Sequence, residues 1–123
     1  MHKIVAINIE GDLFELLEYH LSPGHRIIRA QSGARGLRLI QKHRPHLVVL
    51  DLDLAGKKGR EILKGIADCD VKARVIVLCE AVAVQHALSC VGRRASDVIS
   101  KPFLVTELLR KIKRSLPVTR AGP

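Results

Sequence analysis

Short apolar runs alternate with amphipathic segments along almost the whole chain. The runs lie at Ile4–Ile7, Ile27–Ile28, Leu47–Leu50, Val75–Leu78 and Val98–Ile99. An apolar run of this length without a polar break is typical of a strand that is buried on both faces. The segments between the runs carry apolar residues at helical spacing. The pattern therefore predicts strands and helices that alternate, in five βα units.

Turn residues and charges refine this prediction. A Ser-Pro-Gly turn at 22–24 ends the first helix, a Ser-Gly pair at 32–33 begins the second, and Pro45 ends it. Arg26 and Arg29 flank the second apolar run, which favours an edge strand with solvated ends. The last two helices are placed by Ala87, Leu88 and Val91 in the fourth, and by Leu108, Leu109, Ile112 and Leu116 in the fifth.

Buried strands that alternate with helices indicate a parallel sheet covered on both faces, because each right-handed crossover places its helix against the sheet. The predicted fold class is therefore α/β, an open doubly wound five-stranded sheet. A length of 123 residues favours one domain. We assign that domain to residues 3–116, and residues 117–123 to a C-terminal tail or the start of a linker.

Charge and composition narrow the function classes. With 21 basic and 12 acidic residues the formal net charge is +9, which raises nucleic acid or an anionic surface as a partner. Aromatic residues make up 2% of the chain, and no helix-turn-helix, zinc or RNA-binding motif is visible, so nucleic acid ranks last among the alternatives. No run approaches the ~18 apolar residues of a membrane span, so we expect a cytoplasmic protein without membrane contact.

The cysteines predict no disulfide framework and no zinc site. Cys69, Cys79 and Cys90 are an odd number at wide spacing, without a C-x-x-C pair. This usage fits reduced thiols that fill space in or near the core.

Polar residues collect where the apolar runs end. In a parallel sheet all these ends meet at one edge, where such folds bind ligands. The residues that follow the first, third, fourth and fifth runs are Asn8, Ile9 and Glu10; Asp51 and Asp53; Cys79 and Glu80; and Ser100 and Lys101. They are predicted to form one site.

Two segments carry a resemblance to a known family. The stretch RPHLVVLDLDLAG at 44–56, with Gly59, and the stretch SKPF at 100–103 resemble the signatures of the CheY-like receiver domain of two-component response regulators. The resemblance implies a flavodoxin-like strand order 2-1-3-4-5. It also implies that Asp51 is the phosphoacceptor, which attacks the phosphohistidine of a partner kinase, and that Lys101 pairs with the phosphoryl group.

The magnesium site that the family uses is degenerate in this sequence. The resemblance implies an acidic pair at the end of the first strand, but Asn8 and Ile9 stand at those positions and Glu10 lies one residue further along. Asp53 is expected to lend its backbone carbonyl and to keep its side chain in solvent. Because magnesium prefers carboxylate oxygens, its site should be weak or absent.

The switch positions depart from the family as well. Cys79 stands where the family has a hydroxyl residue, and Val98 stands where an aromatic side chain usually swings inward. Glu80 adds a negative charge beside the expected phosphate. The sequence thus indicates an atypical receiver.

Three functions remain open. The leading hypothesis is a non-enzymatic signalling module that acts through protein contacts, with a histidine kinase or another signalling protein as partner and a possible homodimer through the fourth and fifth helices. Under this leading hypothesis, Asp51 forms an ion pair with Lys101 without being phosphorylated. The second keeps phosphorylation of Asp51 with magnesium, helped by Glu10 or Glu80. The third is a basic module that binds nucleic acid or an anionic surface.

Overall fold

A computed structural model of the chain describes residues 2–53, 59–69, 72–85 and 95–117. The elements are β1 His2–Ile7, α1 Gly11–Leu21, β2 His25–Ala30, α2 Gly33–His43, β3 Leu47–Asp51, α3 Gly59–Asp68, β4 Arg74–Glu80, a 3-10 turn Ala81–Ala83, β5 Ala95–Lys101 and the C-terminal helix α4 Val105–Ser115. The predicted fourth helix, Cys90 and residues 118–123 lie outside the described residues. No helix within the described ranges is long and apolar enough to span a membrane.

The five strands form one parallel sheet in the order β2-β1-β3-β4-β5. This order confirms the flavodoxin-like doubly wound fold. It also places the Arg-flanked strand β2 at an edge, as its charges predict, and β3 at the centre, where all five residues Leu47–Asp51 are buried.

Two apolar layers flank the sheet, because strand side chains alternate between its faces. On one face, Val5 and Ile7 of β1 pack in a cluster with the buried residues of α2 and α3. On the other face, Ile4 and Ala6 pack in a cluster with the buried residues of α1 and the C-terminal helix. The apolar runs and the helical periodicity thus combine into helices on both sides of the sheet.

Helix α2 approaches the sheet and α3 closely through glycines. A Cβ added at Gly36 would lie 2.5 Å from the Cδ1 of Ile7, and one added at Gly65 would lie 2.9 Å from the Cδ1 of Leu37. Ser32 caps the N-terminus of α2, where its Oγ accepts a hydrogen bond from the Arg35 N–H at 3.2 Å.

The strands extend further toward their carboxyl ends than the apolar runs. Asp51 pairs with Leu78 across β3 and β4, and Glu80 pairs with Lys101 across β4 and β5. Backbone groups form a parallel ladder irrespective of side-chain polarity, so the ladder continues past the last apolar residue. Polar residues of three adjacent strands are thereby held rigidly at one edge of the sheet.

Candidate functional site

The carboxyl edge of the sheet is centred on an ion pair. Asp51, the last residue of β3, has a side chain that is 7% exposed, and its Oδ2 lies 2.8 Å from the Nζ of Lys101 on β5. Burial opposes the charge of Lys101, but the hydrogen bonds and negative charges of Asp51 and Asp53 outweigh it and raise the pKa of the ammonium. The two residues that the resemblance singles out are therefore in direct contact.

Asp53 also joins this ion pair, and the expectation that its side chain stays in solvent is wrong. Its Oδ2 lies 3.1 Å from Lys101 Nζ, and its Oδ1 accepts a hydrogen bond from the backbone N–H of Glu80 at 3.3 Å. The side chain is 26% exposed. The cause is tertiary: the ammonium that attracts Asp53 comes from a strand nearly fifty residues away along the chain.

The residues that follow β1 do not form a pair of carboxylates at this edge. Ile9 is 2% exposed and packs in the apolar cluster that α1 and the C-terminal helix share. Asn8 adopts a left-handed backbone conformation with φ 56°, and its N–H donates to the carbonyl of Ala30 at 2.9 Å. Glu10 is exposed and precedes α1, where its carbonyl accepts from the Phe14 N–H at 2.8 Å.

Arg29, a residue that the sequence interpretation did not single out for this edge, holds the segment after β1. Its Nη2 donates to the carbonyl of Ile9 at 3.4 Å, and its guanidinium lies 5.4 Å from the centre of the Phe14 ring. The alternation of side chains along a strand was the available signal. It places Arg29 on the same face of β2 as its alternate neighbours, and that face is covered by the preceding helix.

The donor set fits magnesium poorly. Magnesium binds through one or two carboxylates in near-octahedral geometry, but here Asp51 and Asp53 already share one ammonium. Within residues 2–53, 59–69, 72–85 and 95–117, no group of three or more His, Cys, Asp or Glu side chains is arranged to hold a metal ion.

The switch positions lie against the core. Cys79 is fully buried in the apolar cluster beneath α2 and α3. Burial raises the pKa of its thiol, the charges of Asp53 and Asp51 raise it further, and Lys101 only partly offsets them. The thiol therefore stays protonated and is a poor nucleophile. Val98 of β5 pairs with Val77 and packs, half-buried, against the same cluster.

The polar face of the C-terminal helix is not uniformly solvated. Arg110, Lys113 and Arg114 are exposed. The side chain of Lys111 is only 19% exposed, and its Nζ lies 3.1 Å from Asp97 Oδ2 of β5. Asp97 lies on β5, so this ion pair, like that of Asp53, depends on the tertiary structure.

Known proteins match this chain across most of its length. The response regulator receiver domain family matches residues 10–113. Sporulation initiation phosphotransferase F of Bacillus subtilis is 30% identical over 117 residues, which cover 94% of both chains. Transcriptional regulatory protein KdpE of Mycobacterium tuberculosis is 29% identical over 117 residues, which cover 94% of this chain and 51% of KdpE. The chain thus spans about half the length of that relative.

Solved structures agree on the fold. The chemotaxis response regulator CheY4 of Vibrio cholerae superposes with a TM-score of 0.78 at 21% identity, covering 94% of this chain and 99% of CheY4. The family match over residues 10–113, together with 30% identity over nearly all of a relative, shows that this chain belongs to the response regulator receiver domain family of two-component signalling.

Proposed function

We propose that this receiver domain acts through protein contacts, with phosphorylation of Asp51 weak or absent. It is a cytoplasmic signalling module and not an enzyme in the ordinary sense. Cys79 and Val98 stand at the switch positions, so a phosphoryl group at Asp51 would meet neither the hydroxyl nor the aromatic ring that the family moves in response. A thiol is a weaker hydrogen-bond donor than a hydroxyl.

The observation that carries the proposal is the ammonium of Lys101 between two carboxylates. Its Nζ lies 2.8 Å from Asp51 and 3.1 Å from Asp53. Two carboxylates and one ammonium leave a net charge of −1, and both carboxylates are already engaged by that ammonium. A dication would have to bind beside a like charge, and the barrier to phosphoryl transfer would lose the electrostatic help that a metal gives.

The burial of Ile9 supports the same proposal. An alkyl side chain in the apolar cluster can neither bind a metal nor be replaced cheaply by a carboxylate. The position that would complete an acidic pair is thus part of the core.

A second candidate function is phosphorylation of Asp51 by a histidine kinase with magnesium. It is favoured by the contact between Asp51 and Lys101, the two positions that the family chemistry requires. Glu10 or Glu80, both exposed near the ends of their strands, would then have to help hold the metal.

The partner that we propose is a histidine kinase or another signalling protein, or a second copy of the chain through the fourth and fifth predicted helices. Of these two helices, the described residues contain the C-terminal one, whose Arg110, Lys113 and Arg114 are exposed. A cationic face of this kind would favour an acidic partner surface.

An amide NMR titration separates the two candidates. The protein is titrated with magnesium and then with magnesium plus beryllium fluoride, which mimics an acyl phosphate on an aspartate. The D51N variant is the matched control, because it removes the acceptor carboxylate and leaves the size of the side chain nearly unchanged. A second control omits beryllium.

We expect no saturable changes in amide chemical shift at millimolar magnesium, and we expect wild type and D51N to respond to the titration in the same way. Saturable shifts around Asn8, Asp51 and Lys101 that spread into the C-terminal helix, and that D51N abolishes, would overturn the proposal and establish the second candidate.

A further inference from the structure

A segment with basic residues and no acidic ones includes β2 and α2. Residues 19–50 contain six arginines and lysines and no aspartate or glutamate. Most of this segment forms β2 and α2. We use the name β2–α2 surface for the exposed side chains of Arg26, Arg35, Arg38 and Lys42.

Three of these cations share one face of α2. Arg35, Arg38 and Lys42 follow one another at i, i+3 and i+7, and all three are exposed. Residues at these spacings lie on the same side of a helix, along about 10 Å of its axis. The opposite side of α2 presents Gly36 and Ile40, which are buried against the sheet.

Arg26 continues this face onto the edge strand. Side chains alternate along a strand, and Ile28 and Ala30 of β2 belong to the cluster beneath α2 and α3, so Arg26 lies on the α2 side of the sheet. The pKa of His43 at the end of α2 is lowered by burial and then by the charges of Arg26, Lys3 and Lys42. Cations of β2 and of α2 thus act on the same histidine.

No carboxylate of the described residues neutralises these four cations. The ion pairs in residues 2–53, 59–69, 72–85 and 95–117 are formed by Lys101 with Asp51 and Asp53, and by Lys111 with Asp97 and Glu107. Within the described part of the chain, solvent counterions are therefore what balances these four cations, and a polyanion that displaces the counterions gains their release.

The surface carries charge without apolar anchors. Among the residues that the structure describes, the large exposed apolar side chains are Leu16, Tyr19, Val82 and Leu104, and none of them lies on β2 or α2. Protein interfaces concentrate their binding energy in buried aromatic and apolar anchors, and amphipathic helices bind membranes through an apolar face. A surface of guanidinium and ammonium groups alone matches the contacts that proteins make with nucleic-acid phosphates, which arginine can bind through two hydrogen bonds.

We propose that the β2–α2 surface binds the phosphate backbone of double-stranded nucleic acid without reading its sequence. A duplex suits it better than a single strand, because β2 and α2 contain no Phe, Tyr or Trp on which unpaired bases could stack. The proposal is independent of Asp51 and of any metal, since the surface lies on α2 and β2 and not at the carboxyl ends of β3 and β5.

The test measures fluorescence anisotropy of a labelled duplex of arbitrary sequence, about 20 base pairs long, over a series of salt concentrations. The R35Q/R38Q/K42Q variant removes three cations from the β2–α2 surface. The matched control is R110Q/K113Q/R114Q, which removes three exposed cations from the C-terminal helix on the other face of the sheet. Both variants lower the formal net charge from +9 to +6, and glutamine preserves helix propensity.

We expect the wild type to bind at low salt with a steep salt dependence. Three lost phosphate contacts reduce the slope of log K against log salt by about 2.7, so the α2 variant should bind about 10-fold or more weakly at ~0.1 M salt. The control variant should lose less than about 3-fold. Circular dichroism of both variants verifies that they are folded.

Three outcomes would overturn the proposal. In the first, the wild type fails to bind the duplex at low salt. In the second, the two triple variants weaken binding equally, which would mean that the net charge and not this surface causes the binding. In the third outcome, polyglutamate or phosphatidylserine vesicles bind the wild type as tightly as the duplex and lose that binding in R35Q/R38Q/K42Q, which would assign the surface to an acidic protein or a membrane.

Discussion

The carboxyl edge of the sheet and the β2–α2 surface are both built from charged side chains, but their charges are balanced differently. At the carboxyl edge, one ammonium lies within 3.1 Å of two carboxylates. On the β2–α2 surface, four cations are exposed and have no ion pair among the described residues. In the first region the cation is engaged by carboxylates of the same chain, while the cations of the second region have no such partner among the described residues.

This difference shows why a net charge of +9 does not by itself indicate where a protein binds. Lys101 contributes to the total as much as Arg38 does, yet its charge is engaged by Asp51 and Asp53. Electrostatic attraction of a partner depends on cations that are not already paired.

The largest effect is expected where the carboxyl edge meets the core. I9D should lower the free energy of unfolding by about 3 kcal/mol or more, because Ile9 is 2% exposed and a carboxylate there would be buried in the apolar cluster. I9V removes one methylene group and should cost about 1 kcal/mol. Urea unfolding measures both. Equal stability of the two variants would show that position 9 opens into the carboxyl edge and could hold a metal ligand.

The next largest effect is expected where α2 packs against the sheet. This helix carries most of the β2–α2 surface. G36A should lower the free energy of unfolding by about 1–3 kcal/mol, because its Cβ would lie 2.5 Å from the Cδ1 of Ile7. G24A is the control, since no heavy atom lies within 4 Å of an added Cβ there. Chemical unfolding of the two variants checks this. A G36A protein as stable as G24A would mean that α2 moves freely against the sheet.

A smaller effect is expected from K101M, which removes the cation that Asp51 and Asp53 share. Lys101 is 30% exposed, so solvent screening reduces the loss of stability to about 1 kcal/mol. Because the folded pKa of Lys101 is raised, this stabilisation is fully present below pH 10.5 and is lost as pH rises through the folded pKa. The free energies of unfolding of wild type and K101M, measured in urea, should therefore differ at pH 8 and become equal once the pH exceeds the folded pKa of Lys101. A difference that stays constant with pH would contradict the ion pair.

The smallest effect is expected at the opposite, amino end of the sheet. The pKa of His25 is lowered by burial and then by His2, the N-terminus and Lys113, and its ring stacks on His2 at 5.4 Å. A lowered folded pKa gives stability that is present above pH 6.5 and is lost as pH falls through the folded value. H25Q should therefore lose less Tm than wild type between pH 7.5 and pH 5. An identical loss in both proteins would contradict this.

Much of the fold could be predicted from local patterns. The apolar runs located all five strands, and Ser32 marked the start of α2 correctly. The carboxyl ends of the strands were placed too early, because Asp51, Glu80 and Lys101 are polar and yet continue the backbone ladder. Polarity reports burial of side chains, whereas the ladder depends on backbone groups of neighbouring strands.

The candidate site was predictable only in part. The family resemblance singled out Asp51 and Lys101, and the structure places the Nζ of Lys101 2.8 Å from the Oδ2 of Asp51. The side-chain contacts of Asp53 and Lys111 were missed. Both are formed with residues of β5, and their formation depends on how strands distant in sequence align.

By itself, the sequence determined the order and type of the elements, because hydrophobic periodicity and turn residues act over a few neighbouring positions. It also determined that residues 19–50 contain arginine and lysine but no aspartate or glutamate. Only the tertiary structure decided which charges are engaged. Lys101 is held between two carboxylates by the alignment of β3, β4 and β5, whereas Arg35, Arg38 and Lys42 face away from every strand and remain exposed. Coulomb energy depends on distance in space, which separation along the chain does not specify.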